Sequence, residues 1–120
     1  MEKVDSKYLE IWRNRFETQK VKSLALANSA RVDLPKAIEN LRHYGAKRIL
    51  LYGSLCRAGQ FQQNSDIDLV VEGIPPHHFI RAASDLMMTM DWPIDLKPFE
   101  DLDDLFREKI IKKGDLIYAE

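Results

Sequence analysis

The chain has 120 residues, with 18 basic against 19 acidic side chains and a single cysteine. This length suits one domain, the near-zero balance argues against a surface built for nucleic acid, and one cysteine excludes an internal disulfide framework or a cysteine-rich zinc module. No run approaches the length of a membrane span and the opening MEKVDSKYLE is too charged for a secretory leader, so a cytoplasmic protein is expected, with no membrane and no direct nucleic-acid partner.

In chain order, residues 5–29 lack Gly and Pro, and Tyr8, Ile11, Trp12 and Phe16 recur at helical spacing, which predicts a long N-terminal helix. Asp33 reads as the N-cap of a second helix with Pro35 just inside it, Leu34, Ala37, Ile38, Leu41 and Tyr44 on its buried face, and Gly45 as its stop. The expected division is a helical extension over 1–32 and a second unit over 33–120. Lys47–Tyr52 (KRILLY) predicts a short strand ended by Gly53-Ser54. After a polar stretch, Asp66 to about Gly73 predicts a second strand. Pro75-Pro76 opens a helix to about Met90, with Phe79, Ala83, Leu86 and Met90 on one face. Trp92–Phe99 predicts a third strand, entered at an edge because of Pro93. A helix from about Asp101 to Lys113, ended by Gly114, and a terminal strand Asp115–Ala119 complete the pattern. The fold class is α/β (α+β), a small mixed sheet of three to four strands packed by helices.

Charge is uneven along the chain: +3 over residues 1–32, −1 over 33–94 and −3 over 95–120. A basic N-terminal arm and an acidic C-terminal end suit contact with a partner protein or another copy.

The chemistry concentrates in Leu51–Val71. Asp66 and Asp68, two apart in a predicted strand, emerge on one face, while Ile67, Leu69 and Val71 point to the other. Two adjacent carboxylates repel unless a cation or shared proton lies between them; a hard divalent ion such as Mg²⁺, bound jointly by carboxylates and substrate phosphates, resolves the conflict. Asp95, between apolar Ile94 and Leu96, joins them if its strand is a neighbour. Three carboxylates suit two metal ions about 3.5–4 Å apart and in-line nucleotidyl displacement. Gly53 allows close backbone approach to a phosphate, Ser54 can donate to it, and Arg57 can meet remaining charge. Ser65, beside Asp66, completes the expected nucleotide-binding set. Lys97 shares the Asp95 face and can meet either phosphate or a carboxylate. His77-His78 diverge on a helix and make a poor chelating pair, and Cys56 is expected to be an inert thiol.

Gly53-Ser54, eleven intervening residues and Asp66-Ile67-Asp68 resemble the signature of the DNA polymerase β-type nucleotidyltransferase superfamily. The Leu-Tyr-Gly-Ser-Leu, Ser-Asp-Ile-Asp-Leu-Val-Val and Pro-Ile-Asp-Leu segments are similar to minimal nucleotidyltransferases, many of which are the antitoxin partners of HEPN-domain toxins. The resemblance spans about residues 34–118 and leaves the N-terminal helix outside it. It implies a metal triad of Asp66, Asp68 and Asp95, ATP as substrate, Mg²⁺ as cofactor, and AMP transfer to a tyrosine hydroxyl of the toxin, silencing its ribonuclease activity. One departure stands out: family members often read Gly-Ser-x-Ala-Arg-Gly, whereas Ala58 follows Arg57 here and Gly59 comes one place later. Two other readings remain open, an antitoxin that acts by binding alone and a transferase acting on a small molecule such as an aminoglycoside.

Overall fold

The computed structural model describes residues 6–57 and 59–120; Ala58 of the altered loop, and the first residue of the expected helix at position 5, lie outside them. Helix α1 spans Ser6–His43, β1 Arg48–Tyr52, β2 Ile67–Glu72, α2 Pro76–Thr89, β3 Ile94–Pro98, α3 Asp104–Lys113 and β4 Asp115–Ala119. Short 3-10 turns cover Gly53–Cys56 and Phe99–Asp101. The strands form one mixed sheet in the order β3-β2-β1-β4. Strand β1 is antiparallel to both β2 and β4, and β2 is parallel to β3.

Side-chain alternation divides the sheet into two faces. Ile49, Leu51, Ile67, Leu69, Val71 and Ile94 point into the larger core, where Ala30, Leu34, Ala37 and Leu41 of α1 and Ala82 and Leu86 of α2 cover them. The opposite face carries Leu50, Val70 and Phe99 under Ile110 of α3, a smaller cluster bordered by Tyr52 and Phe106. This second face is covered only in part, and its uncovered end is where the acidic residues emerge.

The expected break at Asp33–Pro35 does not occur: α1 runs without interruption over 38 residues with Pro35 inside it. Proline in a helix interior removes one backbone hydrogen bond and costs about 3 kcal/mol. Tertiary packing outweighs that cost, because Ala30, Leu34, Ala37 and Leu41 all sit at 6% exposure or less on a single stripe that a break would split. Asp33 is therefore no cap; it is buried within the helix and its carboxylate pairs with Lys36 at 3.4 Å. The core also reaches upstream of position 33, with Ser23 buried and its hydroxyl donating to the Phe61 carbonyl at 2.7 Å.

The end of α1 follows from the sequence. Gly45 has φ +104, and its amide donates to the Arg42 carbonyl at 3.0 Å while Ala46 donates to the Leu41 carbonyl at 3.1 Å. These two bonds are the Schellman pattern, and the buried Leu41 and Ala46 supply its hydrophobic contact. Helix α3 starts three residues later than expected, because the Asp103 carboxylate accepts from the Phe106 amide at 2.7 Å and so caps it. Gly114 ends α3 in a space where a Cβ would lie 2.6 Å from the Ile110 carbonyl oxygen and 2.9 Å from that of Leu51. Of the methionines at 87, 88 and 90, Met90 is buried while Met87 and Met88 face outward.

A 38-residue helix is about 57 Å long, and the molecule measures 64 × 31 × 21 Å. Its radius of gyration is 18.2 Å, where a compact chain of this length gives roughly 14 Å. The excess comes from the first half of α1, whose residues 6–22 are all exposed. Trp12 and Phe16, at 64% and 75% exposure, continue the core-facing stripe of α1 beyond the body of the domain. Among the described residues no helix is long and apolar enough to cross a membrane.

Candidate active site

Strand register assembles the site. Tyr52 of β1 is the Cα partner of Asp68 in β2, and Asp68 is the partner of Asp95 in β3. Tyr52, Asp68 and Asp95 therefore form one row across three strands on the partly covered face, and Lys97 stands one step along β3 on that face. Strand β2 begins at Ile67 rather than Asp66, its first amide bonding to the Pro93 carbonyl at 2.8 Å. Asp66 precedes the ladder and is exposed, whereas Asp68 is half-buried.

The row is electrostatically loaded. Burial pushes the Asp68 carboxyl above its ordinary value, and the neighbouring Asp95 and Asp66 charges push the same way, against Lys97 and Arg57. The Lys97 ammonium lies 2.5 Å from Asp95 Oδ2 and 3.0 Å from the Tyr52 hydroxyl. Those bonds, Asp95 first, raise the Lys97 pKa and keep it charged. Burial raises the Tyr52 phenol, so it stays protonated at neutral pH. Lys97 thus takes the carboxylate option of the two that the sequence offered.

Gly53 turns the chain directly beside this row. Its φ is +76, and a Cβ there would overlap the Asp68 carboxylate, so only glycine fits. The Gly53–Cys56 turn is tied to α1 by Arg31, whose guanidinium donates to the Leu55 carbonyl at 3.0 Å. Ser54 is half-buried and, among the described residues, its hydroxyl has no hydrogen-bond partner. Arg57 is exposed at the end of the turn, its amide bonded to the Ser54 carbonyl at 3.1 Å. Ser65 accepts from the Gln62 amide at 2.9 Å and so holds its own loop. Cys56 bonds to the Leu51 carbonyl at 2.9 Å, and burial raises its thiol pKa, as an inert cysteine requires.

Carboxylate oxygens are the donors a hard divalent cation prefers. Among the described residues, however, no three acidic, histidine or cysteine side chains converge on a common point. Asp68 and Asp95 are in register, their mutual charge already raises the Asp68 pKa, and a cation, Lys97, already stands on Asp95. Asp68 and Asp95 are the carboxylates in register that could offer oxygen donors to a hard cation there, and Asp66 is exposed just before β2.

Sequence reasoning missed Tyr52 as a member of the row, and also a cleft of about 610 Å³ lined by Tyr52, Gly53, Arg57, Phe106, Lys109 and Lys113. Tyr52 and Phe106 meet edge to face across it at 5.9 Å. The i, i+4 spacing of Lys109 and Lys113 was the available signal, since it puts both on one side of α3.

A mixed four-stranded sheet with an acidic row beside a Gly-Ser turn, flanked by helices, is the fold of a minimal nucleotidyltransferase. Residues 36–120 match the family model described as "Polymerase beta, Nucleotidyltransferase", and the chain belongs to that family. Solved structures agree on the fold. A structure described as a "putative minimal nucleotidyltransferase" aligns with TM-score 0.64 at 21% identity, over 74% of this chain and 93% of its own. A toxin–antitoxin complex with AMP-PNP aligns with TM-score 0.62 at 23% identity, over 72% of this chain and 73% of the matched one. A complex of tri-AMPylated Shewanella oneidensis HEPN toxin with MNT antitoxin aligns with TM-score 0.58 at 19% identity, over 76% of this chain and 73% of the matched one. No curated protein matches the sequence.

Proposed function

We propose that the chain is the antitoxin of a HEPN-domain toxin and a Mg²⁺-dependent nucleotidyltransferase that moves AMP from ATP to a tyrosine hydroxyl of that toxin. The observation that carries this reading is the Asp68–Asp95 register with Gly53 pressed against Asp68. It is supported by the family match and by the fold shared with antitoxins in complexes with HEPN toxin and with AMP-PNP.

In this reading the acceptor oxygen attacks the α-phosphorus, the bond to the bridging α–β oxygen breaks, and pyrophosphate leaves. Asp95 orients the acceptor hydroxyl and receives its proton. Gly53 and Ser54 approach the β,γ-phosphates, Ser54 through a hydroxyl with no hydrogen-bond partner among the described residues, and Arg57 offsets their charge. Asp66, Asp68 and Asp95 would hold Mg²⁺, which when bound would supply charge neutralisation at the phosphates. Another protein presents the acceptor in this reading, as the fold shared with antitoxins in toxin complexes supports. The exposed Trp12–Phe16 stripe of α1, bordered by Arg13, Arg15 and Lys20, is the surface offered to that protein.

Copurification of the chain with a HEPN-domain partner, followed by incubation with ATP and Mg²⁺ and intact-mass measurement, tests the reading. The partner gains whole AMP units, and the gain disappears on replacing its acceptor tyrosine. A partner whose mass does not change overturns it.

The Lys97–Asp95 pair at 2.5 Å favours a second reading, in which the carboxylates stay locked and the antitoxin neutralises its toxin by covering it. An Asp66→Asn/Asp68→Asn variant that still fully protects cells supports this second reading against the first.

A further inference from the structure

The cleft beside the acidic row carries an unbalanced charge that the mechanism above leaves mostly unused. Its lining among the described residues includes three cations, Arg57 from the Gly-Ser turn and Lys109 and Lys113 from α3, and no acidic residue. Among the described residues none of the three is engaged in an ion pair, because the acids of α3 are taken elsewhere: Asp104 faces Arg107 and Glu108 faces Lys112, each at 3.8 Å. Lys109 and Lys113, four residues apart, project from one side of the helix with about 6 Å between their Cβ atoms. Arg57, at the end of the Gly53–Cys56 turn, lines the same cleft.

Three like charges around one concavity repel each other, and a multiply charged anion bound among them relieves that repulsion. Position selects which anion. Tyr52 and Gly53 belong both to the cleft wall and to the carboxylate site, Tyr52 in register with Asp68 and Gly53 against its carboxylate. A ligand spanning the two places has its reacting phosphate near the acids and its remaining negative charge among the cations.

We propose that Lys109 and Lys113 of α3, lining one cleft with Arg57, form the seat of the β- and γ-phosphates of a nucleoside triphosphate and select triphosphate over monophosphate. The proposal rests on the nucleotidyltransferase reading and adds to it a helix whose residues the sequence motifs do not include. Ammonium groups that bind as point charges fit a flexible polyphosphate, and arginine in their place keeps the charge.

The test is calorimetric titration of the full chain in Mg²⁺ buffer with ATP, AMP and inorganic tripolyphosphate, for wild type, Lys109→Ala/Lys113→Ala and Lys109→Arg/Lys113→Arg. Circular dichroism confirms that each variant is folded. ATP and tripolyphosphate weaken about 10- to 100-fold in the alanine pair, since two charge-assisted contacts are lost. AMP stays within about twofold, and the arginine pair stays within about threefold of wild type on ATP. Unchanged ATP binding in the alanine pair overturns the seat and leaves the transferase reading intact. Lysine-dependent tripolyphosphate binding without ATP binding overturns the transferase reading and, with it, the assignment of the seat to a nucleoside triphosphate. A wild type that binds neither overturns both.

Discussion

Replacing Asp68 by Asn makes the metal-free protein more stable while abolishing its proposed chemistry. Neighbouring strands lie about 4.8 Å apart, so two in-register unit charges repel by roughly 0.9 kcal/mol in water and about 3.5 kcal/mol at an effective dielectric of ~20. Asp68 is only half-buried and Lys97 offsets part of the repulsion, which brings the net figure to about 1 kcal/mol. For a chain of this size, that is a rise in Tm of roughly 3–5 °C. The sign of the pH dependence follows from the raised pKa. An acid whose folded pKa exceeds its unfolded value binds more protons in the folded state, so stability is lost as pH rises through the folded Asp68 pKa. The variant's advantage is therefore full above that pKa and fades toward and below the ordinary value of 3.8. Thermal unfolding of both proteins in chelator at pH 7.5 and at acid pH measures it. Adding Mg²⁺ reverses the order, because only wild type has the full acidic set to bind it. An Asp68→Asn protein that melts below wild type in chelator at pH 7.5 refutes the reasoning.

Three further outcomes follow from the fold. Gly53→Ala loses about 1–3 kcal/mol in urea unfolding, from the left-handed backbone strain at φ +76 and the overlap with Asp68, and it weakens ATP binding more than stability alone explains. Pro35→Ala restores a hydrogen bond inside α1 at an exposed position and raises unfolding free energy by about 1–3 kcal/mol; a decrease shows that the helix is shaped by the proline. Trp12→Glu/Phe16→Glu changes stability by less than about 0.5 kcal/mol, since both side chains lie outside the core, yet abolishes partner copurification. A loss of stability instead places that stripe in intramolecular packing.

Much of this fold was legible because short-range chemistry agrees with tertiary packing. Gly45 stops α1 through a local bonding pattern, and the apolar members of β1 and β2 occur where a buried sheet needs them. The Asp68–Asp95 juxtaposition required only that β2 and β3 be neighbours. Pro35 was misread because its local signal is that of a helix start, while the decision between one helix and two depends on a stripe buried by distant strands. The onset of α3 was misplaced because Asp101 and Asp103 both look like caps, and the 3-10 turn at Phe99–Asp101 settles which one serves. The cleft cations were invisible in the total charge, since α3 mixes acidic and basic residues and only the pairing of Arg107 with Asp104 and of Lys112 with Glu108 leaves Lys109 and Lys113 over.

The central claim, that this acidic row transfers a nucleotide to a protein, is tested most directly by incubating the purified chain and its copurified HEPN-domain partner with ATP labelled at the α-phosphate in Mg²⁺. The account predicts label on a tyrosine of the partner, absent with Asp68→Asn and absent with chelator. A partner that stays unlabelled, or label that survives Asp68→Asn, contradicts it.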